Sequence, residues 1–299
     1  MQCNSYKQLL NAKYEQSPML IAPFLPLGGD SLLHGKRGLG KTQLATTLAI
    51  DVALGLDFLG DYKTTRGTVV YIQADMTPQL QTERIKKMDA FAGISQDIPL
   101  HYFTPDKKLN CVDAVMEGAE WAQRLQDLNP VLVIIDTLRK SHSLDENYSD
   151  TPVKVYSAWR ELVGKGPSVL YLHHDRKDNE WSASNKDESF RGSGAWLDEV
   201  DCGMHLCKSK GGLYLEWSKL RTCGENDVAP AINLQMDPNS LLVMADDPVE
   251  SYIKDACRRG LPKAQIVSEA TNANRWGERA MSQPTVYRRL RGYEGVIRT

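Results

Sequence analysis

The sequence predicts an α/β fold in which a mostly parallel β-sheet, with an antiparallel extension, is joined to a small helical domain. Three observations indicate this fold. From Gly28 onwards short apolar runs alternate with longer helical segments, these runs are almost continuously apolar, and closely spaced strand patterns follow Asp201. Strands that alternate with helices are typical of βαβ units and a parallel sheet. Strands that are apolar throughout are typical of a sheet covered on both faces.

Residues 1–27 precede this pattern and are predicted to form an N-terminal arm. They contain a short polar helix pattern at residues 6–16, followed by a stretch punctuated by prolines from Pro18 to Pro26. We expect the arm to wrap around the core that begins at Gly28.

Residues 28–245 are predicted to form the main α/β domain. The apolar run at residues 131–135 is typical of a strand buried on both faces. Predicted strands cover residues 31–34, 68–73, 131–136 and 168–173, and predicted helices cover residues 43–54, 79–91, 112–128 and 152–164. Closely spaced strands at residues 202–208, 212–217 and 232–236 then predict the antiparallel extension.

An acidic break closed by Pro248 separates a C-terminal domain at residues 248–299. Residues 250–299 carry ten Lys and Arg against five Asp and Glu, a net charge of +5 in a chain whose total is −2. Three short predicted helices with a basic last helix are typical of a helix-turn-helix. A three-helix module also docks proteins, so both DNA and a replication or recruitment partner are expected contacts. The candidate DNA contacts of the last helix are Arg288, Arg289 and Arg291.

The overall composition is that of an ordinary globular protein. A net charge of −2 excludes a chain-wide basic field that would require nucleic acid. No apolar run is long enough to span a membrane, and the N-terminal residues lack the regions of a signal peptide, so we expect a cytoplasmic protein. The six cysteines show no C-x-x-C spacing and are expected to be reduced thiols.

The cluster formed by Cys202, His205 and Cys207 invites a metal interpretation. These residues lie in a predicted strand, and the sequence shows no fourth ligand. Structural zinc sites usually have four protein ligands. The sequence therefore favours a strand with free thiols over a metal site here.

One loop between a predicted strand and a predicted helix carries a nucleotide-binding motif. It fits G-x-x-x-x-G-K-[ST] and consists of Gly35, Lys36, Arg37, Gly38, Leu39, Gly40, Lys41 and Thr42. In this motif backbone N–H groups face phosphate oxygens, Lys41 reaches the β- and γ-phosphates, and the Thr42 hydroxyl ligates Mg²⁺. Because strand, loop and helix occur in the required order, the sequence predicts an ATP and Mg²⁺ site. We expect Lys41 to lie in a solvent-facing loop.

Two acids follow predicted strands and are candidates for the same site. Asp136 ends an apolar strand, where its carboxylate would emerge at the edge of the sheet at which ligands bind, and it is the candidate for positioning Mg²⁺ and its waters. Asp75 follows another strand and is a candidate for orienting or deprotonating the attacking water. The alternative for Asp75 is a helix N-cap, because a helix pattern begins after Thr77.

The motifs together resemble those of the RepA-type hexameric helicases, which are related to the DnaB-type replicative helicases and to RecA. The resemblance covers the ATPase core, residues 22–245, and its segments occur in the expected order at residues 35–42, 73–77, 135–139, 145–147, 172–177, 191–195 and 219–221. It implies a RecA-like P-loop core that binds ATP and Mg²⁺. It also implies a ring-shaped homo-oligomer, expected to be a hexamer, acting on DNA that is expected to be single-stranded.

The resemblance also implies roles for individual residues. Asp75 stands where the family usually has a catalytic glutamate, so its carboxylate is one methylene shorter. The strand before it lies near the phosphate-loop strand in RecA-type cores. His174 stands at a γ-phosphate-sensing position, whereas His173 is expected to be a core histidine. Lys219 and Arg221 match the K-x-R pair that a DnaB-type subunit inserts into its neighbour's ATP site.

The pair Lys219 and Arg221 also has an interpretation that does not depend on the resemblance. Strand alternation places both cations on one face, without an adjacent acid in the sequence, which suggests an anionic partner. The alternative is a solvated strand face.

The segment between residues 175 and 194 is long, polar and rich in glycine and serine. Structureless loops of this length are usually functional or disordered. The resemblance places such loops at the central channel, in contact with DNA, although acidic residues dilute the charge and a solvated loop is an equal alternative. The candidate DNA contacts here are Arg176, Lys177, Lys186 and Arg191.

The sequence thus predicts an oligomeric, Mg-ATP-dependent ATPase that acts on DNA, in the manner of a RepA-like replicative helicase of a plasmid, phage or mobile element. The first alternative is an ATPase that does not unwind DNA but loads or recruits partner proteins on it. The second is a DNA-binding regulator that uses ATP only for assembly. ATP-driven strand displacement distinguishes the first function from the other two.

Overall fold

A nine-stranded β-sheet forms the centre of the part of the chain that the structure describes. The structure is a computed structural model. It describes residues 5–11, 18–92, 97–105, 108–175, 194–209, 212–224, 227–228, 231–238, 241–245, 249, 252–253, 256–257, 261–272, 274, 281, 283, 286–287 and 290.

The strands, in chain order, are β1 (Met19–Ile21), β2 (Leu25–Pro26), β3 (Asp30–Gly35), β4 (Val69–Gln73), β5 (Leu100–Phe103), β6 (Leu132–Asp136), β7 (Ser168–His174), β8 (Cys202–Ser209), β9 (Gly212–Leu220), β10 (Ala231–Met236) and β11 (Val243–Ala245). The central sheet has the order β11-β10-β9-β8-β3-β7-β6-β4-β5. The six strands from β8 to β5 are parallel to one another. Strands β9, β10 and β11 continue the sheet in antiparallel pairing. The predicted parallel sheet with an antiparallel extension is confirmed.

The helices are α1 (Tyr6–Asn11), α2 (Lys41–Leu54), α3 (Pro78–Ala92), α4 (Cys111–Glu117), α5 (Glu120–Asp127), α6 (Thr151–Val163), α7 (Ala195–Asp198) and α8 (Lys263–Ala270), with a 3-10 turn at Leu138–Lys140. Helix α2 covers one face of the sheet, and its apolar residues join a core cluster that includes Leu33 and Met204. Helix α6 covers the other face through residues such as Trp159. This double cover explains why β4 and β6 are buried at every position.

Two elements differ from the sequence predictions. The single helix predicted at residues 112–128 is two helices, because Gly118 adopts a left-handed conformation (φ 60°) and ends α4. Strand β5 was not predicted, because it is the short edge strand of the sheet and most of its residues are only partly buried. Neither a long apolar run nor strict alternation marks such a strand.

The predicted N-terminal arm contains residues that belong to the main core. Strands β1 and β2 pair with each other in a small antiparallel ribbon. Leu20, Ile21, Phe24 and Leu25 are fully buried and pack in the same cluster as α2. Residues 18–27 of the arm therefore contribute to the packing of the core, whereas Tyr6 and Leu10 of α1 are exposed.

The described residues after 248 form an apolar cluster of their own. It includes Val249, Ile253, Ile266 and Leu290, and its members are buried. Helix α8 supplies part of this cluster. The candidate DNA contacts Arg288, Arg289 and Arg291 lie outside the described residues, so the helix-turn-helix stays a prediction. Among the described residues, none of the helices combines the length and the apolar character needed to cross a membrane.

Candidate nucleotide site

The loop of residues 35–42 lies between β3 and α2, and its path requires glycine at two positions. Gly35 has φ 153° and a Cβ there would overlap the carbonyl of Leu206, whereas Gly40 has φ 99° and a Cβ there would overlap Met236. L-residues rarely adopt either conformation. Because α2 begins at Lys41, the N-terminus of the helix opens onto this loop. Such an N-terminus attracts phosphate through its free N–H groups and its dipole.

Lys41 is buried in this loop, so the prediction of a solvent-facing lysine was wrong. Its side chain donates hydrogen bonds from Nζ to the carbonyl oxygens of Gly35 (2.7 Å) and Lys36 (2.9 Å). An ammonium has three N–H donors, and two of them therefore close the loop on itself. Burial lowers the pKa of Lys41 to about 8, against the opposing influence of Asp175 and Asp136. The sequence missed this burial because it does not reveal how tightly the loop curls.

Asp136 lies at the C-terminal end of β6, beside the loop, as the sequence predicts. It is buried, and its Oδ2 accepts hydrogen bonds from the Tyr71 hydroxyl (2.9 Å) and from Gln73 Nε2 (3.2 Å). Burial raises the pKa of Asp136, and hydrogen bonding from Thr42, Tyr71 and Gln73 opposes that rise. Its second oxygen, Oδ1, is buried without a hydrogen bond of good geometry from the described residues.

These features fit a hard divalent cation. A buried carboxylate oxygen that lacks a donor is costly unless a cation or a proton satisfies it. Mg²⁺ prefers oxygen ligands and usually takes one or two from the protein, with waters and substrate phosphates completing its shell. The neighbouring Thr42 hydroxyl and Asp136 Oδ1 are ligands of that type. The predicted metal ligands Thr42 and Asp136 thus lie together.

Asp75 follows β4, but this strand does not adjoin the phosphate-loop strand. The sequence places β4 near β3, and in the sheet two strands, β7 and β6, lie between them. Asp75 is exposed, and its backbone N–H donates to Gln73 Oε1 (2.9 Å). Since Gln73 also donates to Asp136, one amide side chain connects the backbone of Asp75 to the buried carboxylate.

Thr77, not Asp75, acts as the N-cap of α3. The Thr77 hydroxyl oxygen accepts a hydrogen bond from the backbone N–H of Leu80 (3.4 Å). Among the described residues no hydrogen bond joins the Asp75 carboxylate to α3. The capping alternative for Asp75 therefore has no support in the structure. Its carboxylate affects the electrostatics of both Lys41 and Asp136.

The two histidines that end β7 have different environments. His173 is fully buried, and its ring packs against Trp196 with a centroid separation of 5.4 Å. This burial confirms the expected core histidine. His174 is half-buried and is paired in register with Gly35, at the start of the loop. The sensor candidate is therefore placed beside the nucleotide site, and its role stays a prediction.

A polar network that the sequence did not predict lies behind the phosphate loop. Buried Asp175 accepts hydrogen bonds from His34 Nδ1 (2.9 Å) and His205 Nε2 (3.0 Å), and the two imidazole rings stack 4.3 Å apart. The Ser218 hydroxyl donates to His34 Nε2 (3.0 Å). The backbone N–H of Asp175 donates to the carbonyl of Gly35 (3.2 Å), which Lys41 also contacts. The network thus fixes the first residue of the loop.

Opposing influences set the pKa values in this network. Burial favours the neutral carboxyl of Asp175, but hydrogen bonds from His205 and His34 outweigh it and hold the pKa of Asp175 well below its usual range. Burial lowers the pKa of His34, and Asp175 only partly restores it. Burial also disfavours the imidazolium of His205, but hydrogen bonds to Asp175 and Cys207 raise the pKa of His205 to about 10.

Lys219 and Arg221 lie near the N-terminal end of β3, whereas the phosphate loop follows the C-terminal end of that strand. The backbone N–H of Arg221 donates to Asp201, whose own N–H donates to Asp30 at the start of β3. Five residues of strand, about 16 Å, separate that end of β3 from Gly35. The expectation of a pair without an adjacent acid was wrong, because Arg221 forms an ion pair with Asp201 (3.0 Å).

The side chain of Lys219 forms hydrogen bonds with the C-terminal end of helix α7. Its Nζ donates to the carbonyls of Leu197 (3.0 Å) and Asp198 (2.6 Å), which are the last residues of α7. Burial and then the nearby Arg221 lower the pKa of Lys219. Within one subunit these two cations therefore hold α7 in place. The loop candidates Arg176, Lys177, Lys186 and Arg191 lie outside the described residues.

Comparisons with known proteins agree on the kind of domain that carries this site. A family model described as an AAA domain, AAA_25, matches residues 6–180, which is more than half of the chain. Among solved structures, the ATPase domain of G40P matches with a TM-score of 0.52, covering 73% of this chain and 84% of that chain at 14% sequence identity. At that identity the likeness shows the fold alone. The predicted α/β fold class, with a mostly parallel sheet, is thereby confirmed.

Proposed function

The chain belongs to the AAA domain family, and from that premise we propose that it is a Mg²⁺-dependent ATPase that forms a ring, expected to be a hexamer, and acts on DNA. The observation that carries the proposal is the convergence of Lys41, Thr42 and Asp136 at one end of the sheet. A buried ammonium, a hydroxyl at a helix N-terminus and a buried carboxylate with an unpaired oxygen are the groups that phosphoryl transfer from ATP requires.

In this proposal each residue of the site has a separate role in ATP hydrolysis. Backbone N–H groups of the loop and of the first turn of α2 bind the phosphates, and the Lys41 ammonium neutralises charge that develops on them. Thr42 and Asp136 would hold Mg²⁺, which supplies further neutralisation of phosphate charge when bound. Asp75, exposed at the end of β4, orients or deprotonates the attacking water. His174 lies beside Gly35 and senses the γ-phosphate.

Lys219 and Arg221 complete the site of a neighbouring subunit in this proposal. The position of these two residues supports the proposal. They lie at the end of the strands away from the phosphate loop, so their side chains do not reach the loop of their own chain. The Arg221 side chain is 54% exposed, so it is accessible to a second copy of this chain. Surface ion pairs such as the one with Asp201 contribute about 0–1 kcal/mol, which a stronger interaction with phosphate readily replaces.

DNA is the proposed second substrate. Support comes from the basic balance of residues 250–299 and from the cations of the segment between residues 175 and 194. The segment follows β7 in the chain, and the last residue of β7, His174, is paired in register with Gly35. Coupling between nucleotide state and DNA contact is what a translocating ATPase requires.

A set of three measurements on the purified chain tests this function. ATP turnover is measured with and without single-stranded DNA, the assembly mass is measured with and without ATP, and strand displacement is measured on a forked duplex. We expect turnover that requires Mg²⁺, rises with single-stranded DNA and accompanies a ring-sized assembly. Turnover without displacement would favour the loading or recruiting ATPase. Assembly on ATP without turnover would contradict the enzyme proposal.

A further inference from the structure

Three side chains of different chemistry meet on the hairpin formed by β8 and β9. His205 Nδ1 lies 3.1 Å from Cys207 Sγ and 3.1 Å from Glu216 Oε1, and Cys207 Sγ lies 3.6 Å from Glu216 Oε1. His205 and Glu216 are directly opposite in the antiparallel pair, and Cys207 is two residues further on the same face of β8. The rigid strand pairing therefore places all three atoms together.

We propose that His205, Cys207 and Glu216 form a Zn²⁺ site with three protein ligands and an open fourth position. This proposal does not depend on the proposed ATPase function. The sequence cluster contains Cys202, which is not part of this group. Cys202 is three strand positions from His205, so it lies on the other face of the sheet, among apolar residues that pack with α2. The missing ligand comes from the neighbouring strand as Glu216.

The separations between the donor atoms fit tetrahedral zinc. Bond lengths of about 2.0–2.3 Å to nitrogen, oxygen and sulfur place tetrahedral ligand atoms about 3.3–3.6 Å apart. The observed separations of 3.1, 3.1 and 3.6 Å are within a few tenths of an ångström of those values. Small side-chain rotations are enough to admit the ion, and the backbone of the hairpin need not move. Imidazole and thiolate together favour zinc over Mg²⁺ or Ca²⁺.

Asp175 supports the proposed ligand histidine from behind. Histidines that bind metal usually donate the N–H of their other ring nitrogen to a carboxylate, which fixes the tautomer and orients the ring. His205 Nε2 lies 3.0 Å from Asp175 Oδ2, so its N–H donates there and Nδ1 is the ring nitrogen that faces Cys207 and Glu216. Asp175 is itself held by His34. This arrangement is a second observation that points to a metal, independent of the ligand distances.

The cluster of His34, Asp175 and His205 is explained without a metal. The carboxylate of Asp175 accepts one hydrogen bond from each histidine, and the second ring nitrogen of His34 accepts from Ser218. In contrast, the His205 nitrogen, the Cys207 sulfur and the Glu216 oxygen are three ligand atoms of a kind that binds zinc, and two paired strands bring them together. Zinc displaces protons from imidazole and thiol groups when it binds to them. Zinc satisfies all three atoms at once.

The test uses the full chain without an affinity tag, stripped of metal with a chelator, and then titrated with CoCl₂ or ZnCl₂ in the absence of nucleotide. We expect one zinc per chain by native mass spectrometry. We also expect cobalt to give the visible bands of tetrahedral coordination together with a sulfur-to-cobalt charge-transfer band. A wild-type cobalt spectrum without the charge-transfer band, or zinc below one equivalent per chain, would overturn the proposal whatever any variant does.

Variants then identify the ligands. Cys207→Ser should remove the charge-transfer band, Glu216→Gln should weaken zinc at least about 10-fold, and Asp175→Asn should weaken it about 10- to 100-fold through the histidine. Cys223→Ser is the matched control, because this thiol is also free and lies outside the cluster. If the band is lost in Cys223→Ser and kept in Cys207→Ser, zinc binds to another thiol and the proposed site is wrong.

Discussion

At the residue scale, the motif predicted which residues form the candidate phosphate loop but not the surroundings of those residues. The spacing of glycines, Lys41 and Thr42 gave the loop, because phosphate binding restricts which residues are allowed there. The hydrogen bonds among His34, Asp175 and His205 could not be predicted, because these residues are far apart in the chain and no local pattern connects them. The one available signal was that Asp175 follows a buried strand, as Asp136 does.

Replacing Lys41 with alanine tests the buried ammonium. We expect the turnover of ATP to fall at least about 100-fold, because the charge that neutralises the phosphates is lost from a site with little water. The melting temperature should change by only a few degrees, since the two hydrogen bonds of Lys41 close a single loop. Lys63→Ala, at an 80% exposed side chain, is the control. Turnover near that of the wild type would show that the loop is not the catalytic phosphate site.

Asp75 is tested by two substitutions of opposite expected effect. Asp75→Asn should bind ATP normally but turn it over about 10²- to 10⁴-fold more slowly, because an amide is not a general base. Asp75→Glu should keep or raise the rate, since the longer side chain reaches further toward the nucleotide. Because Thr77 caps α3, neither substitution should lower the melting temperature. An asparagine variant with full turnover would leave Asp75 without a catalytic role.

At the element scale, patterns of burial predicted strands and helices best where the sheet is covered on both sides. The fully buried strands β4 and β6 agree with prediction within one residue at each end. The split between α4 and α5 was missed because an isolated glycine within a helical pattern does not by itself show that the helix ends there. The edge strand β5 was missed because it lacks the apolar run of an interior strand.

Helix α2 carries a half-buried acid, Asp51, whose charge opposes folding. Burial, and then the nearby Asp57, raise the pKa of Asp51 from 3.8 to about 7. Asp51 also lies in the last turn of α2, where the helix dipole disfavours a negative charge. A folded pKa above the unfolded value means that the folded state binds the proton more tightly. Its contribution to stability is therefore full below about pH 4 and is lost as the pH rises to about 7.

Asp51→Asn should remove this dependence. At pH 8 the variant should unfold with a free energy higher than that of the wild type by about 1–3 kcal/mol, and the difference should vanish near pH 4. Chemical denaturation across that pH range measures both values. Asp97→Asn, at an exposed position, should show no such trend. If the asparagine variant is less stable than the wild type at pH 8, the charge of Asp51 has a favourable partner.

At the scale of the whole molecule, the fold class followed from the sequence, whereas the sharing of sites between subunits did not. The order of strands and helices predicts one parallel sheet. In such a sheet ligands bind at the carboxyl ends of the strands, where the loops begin. Assembly depends on surfaces that single-sequence patterns do not describe. The contacts of Arg221 with Asp201 and Asp198 within one chain show why: the same cation has a structural partner here and a proposed catalytic partner in a neighbour.

The most direct test of a shared ATP site is the turnover of Arg221→Ala, alone and mixed with Lys41→Ala under conditions of subunit exchange. A cation supplied in trans is worth about 10³- to 10⁵-fold in well-studied phosphoryl transfers, so Arg221→Ala alone should bind ATP but lose most turnover. The mixture should regain part of it, because some interfaces combine an intact loop with an intact Arg221. Arg124→Ala, at another exposed arginine, should turn over ATP normally. Normal turnover by Arg221→Ala, or an inactive variant that freely exchanging Lys41→Ala subunits do not rescue, would contradict the shared site.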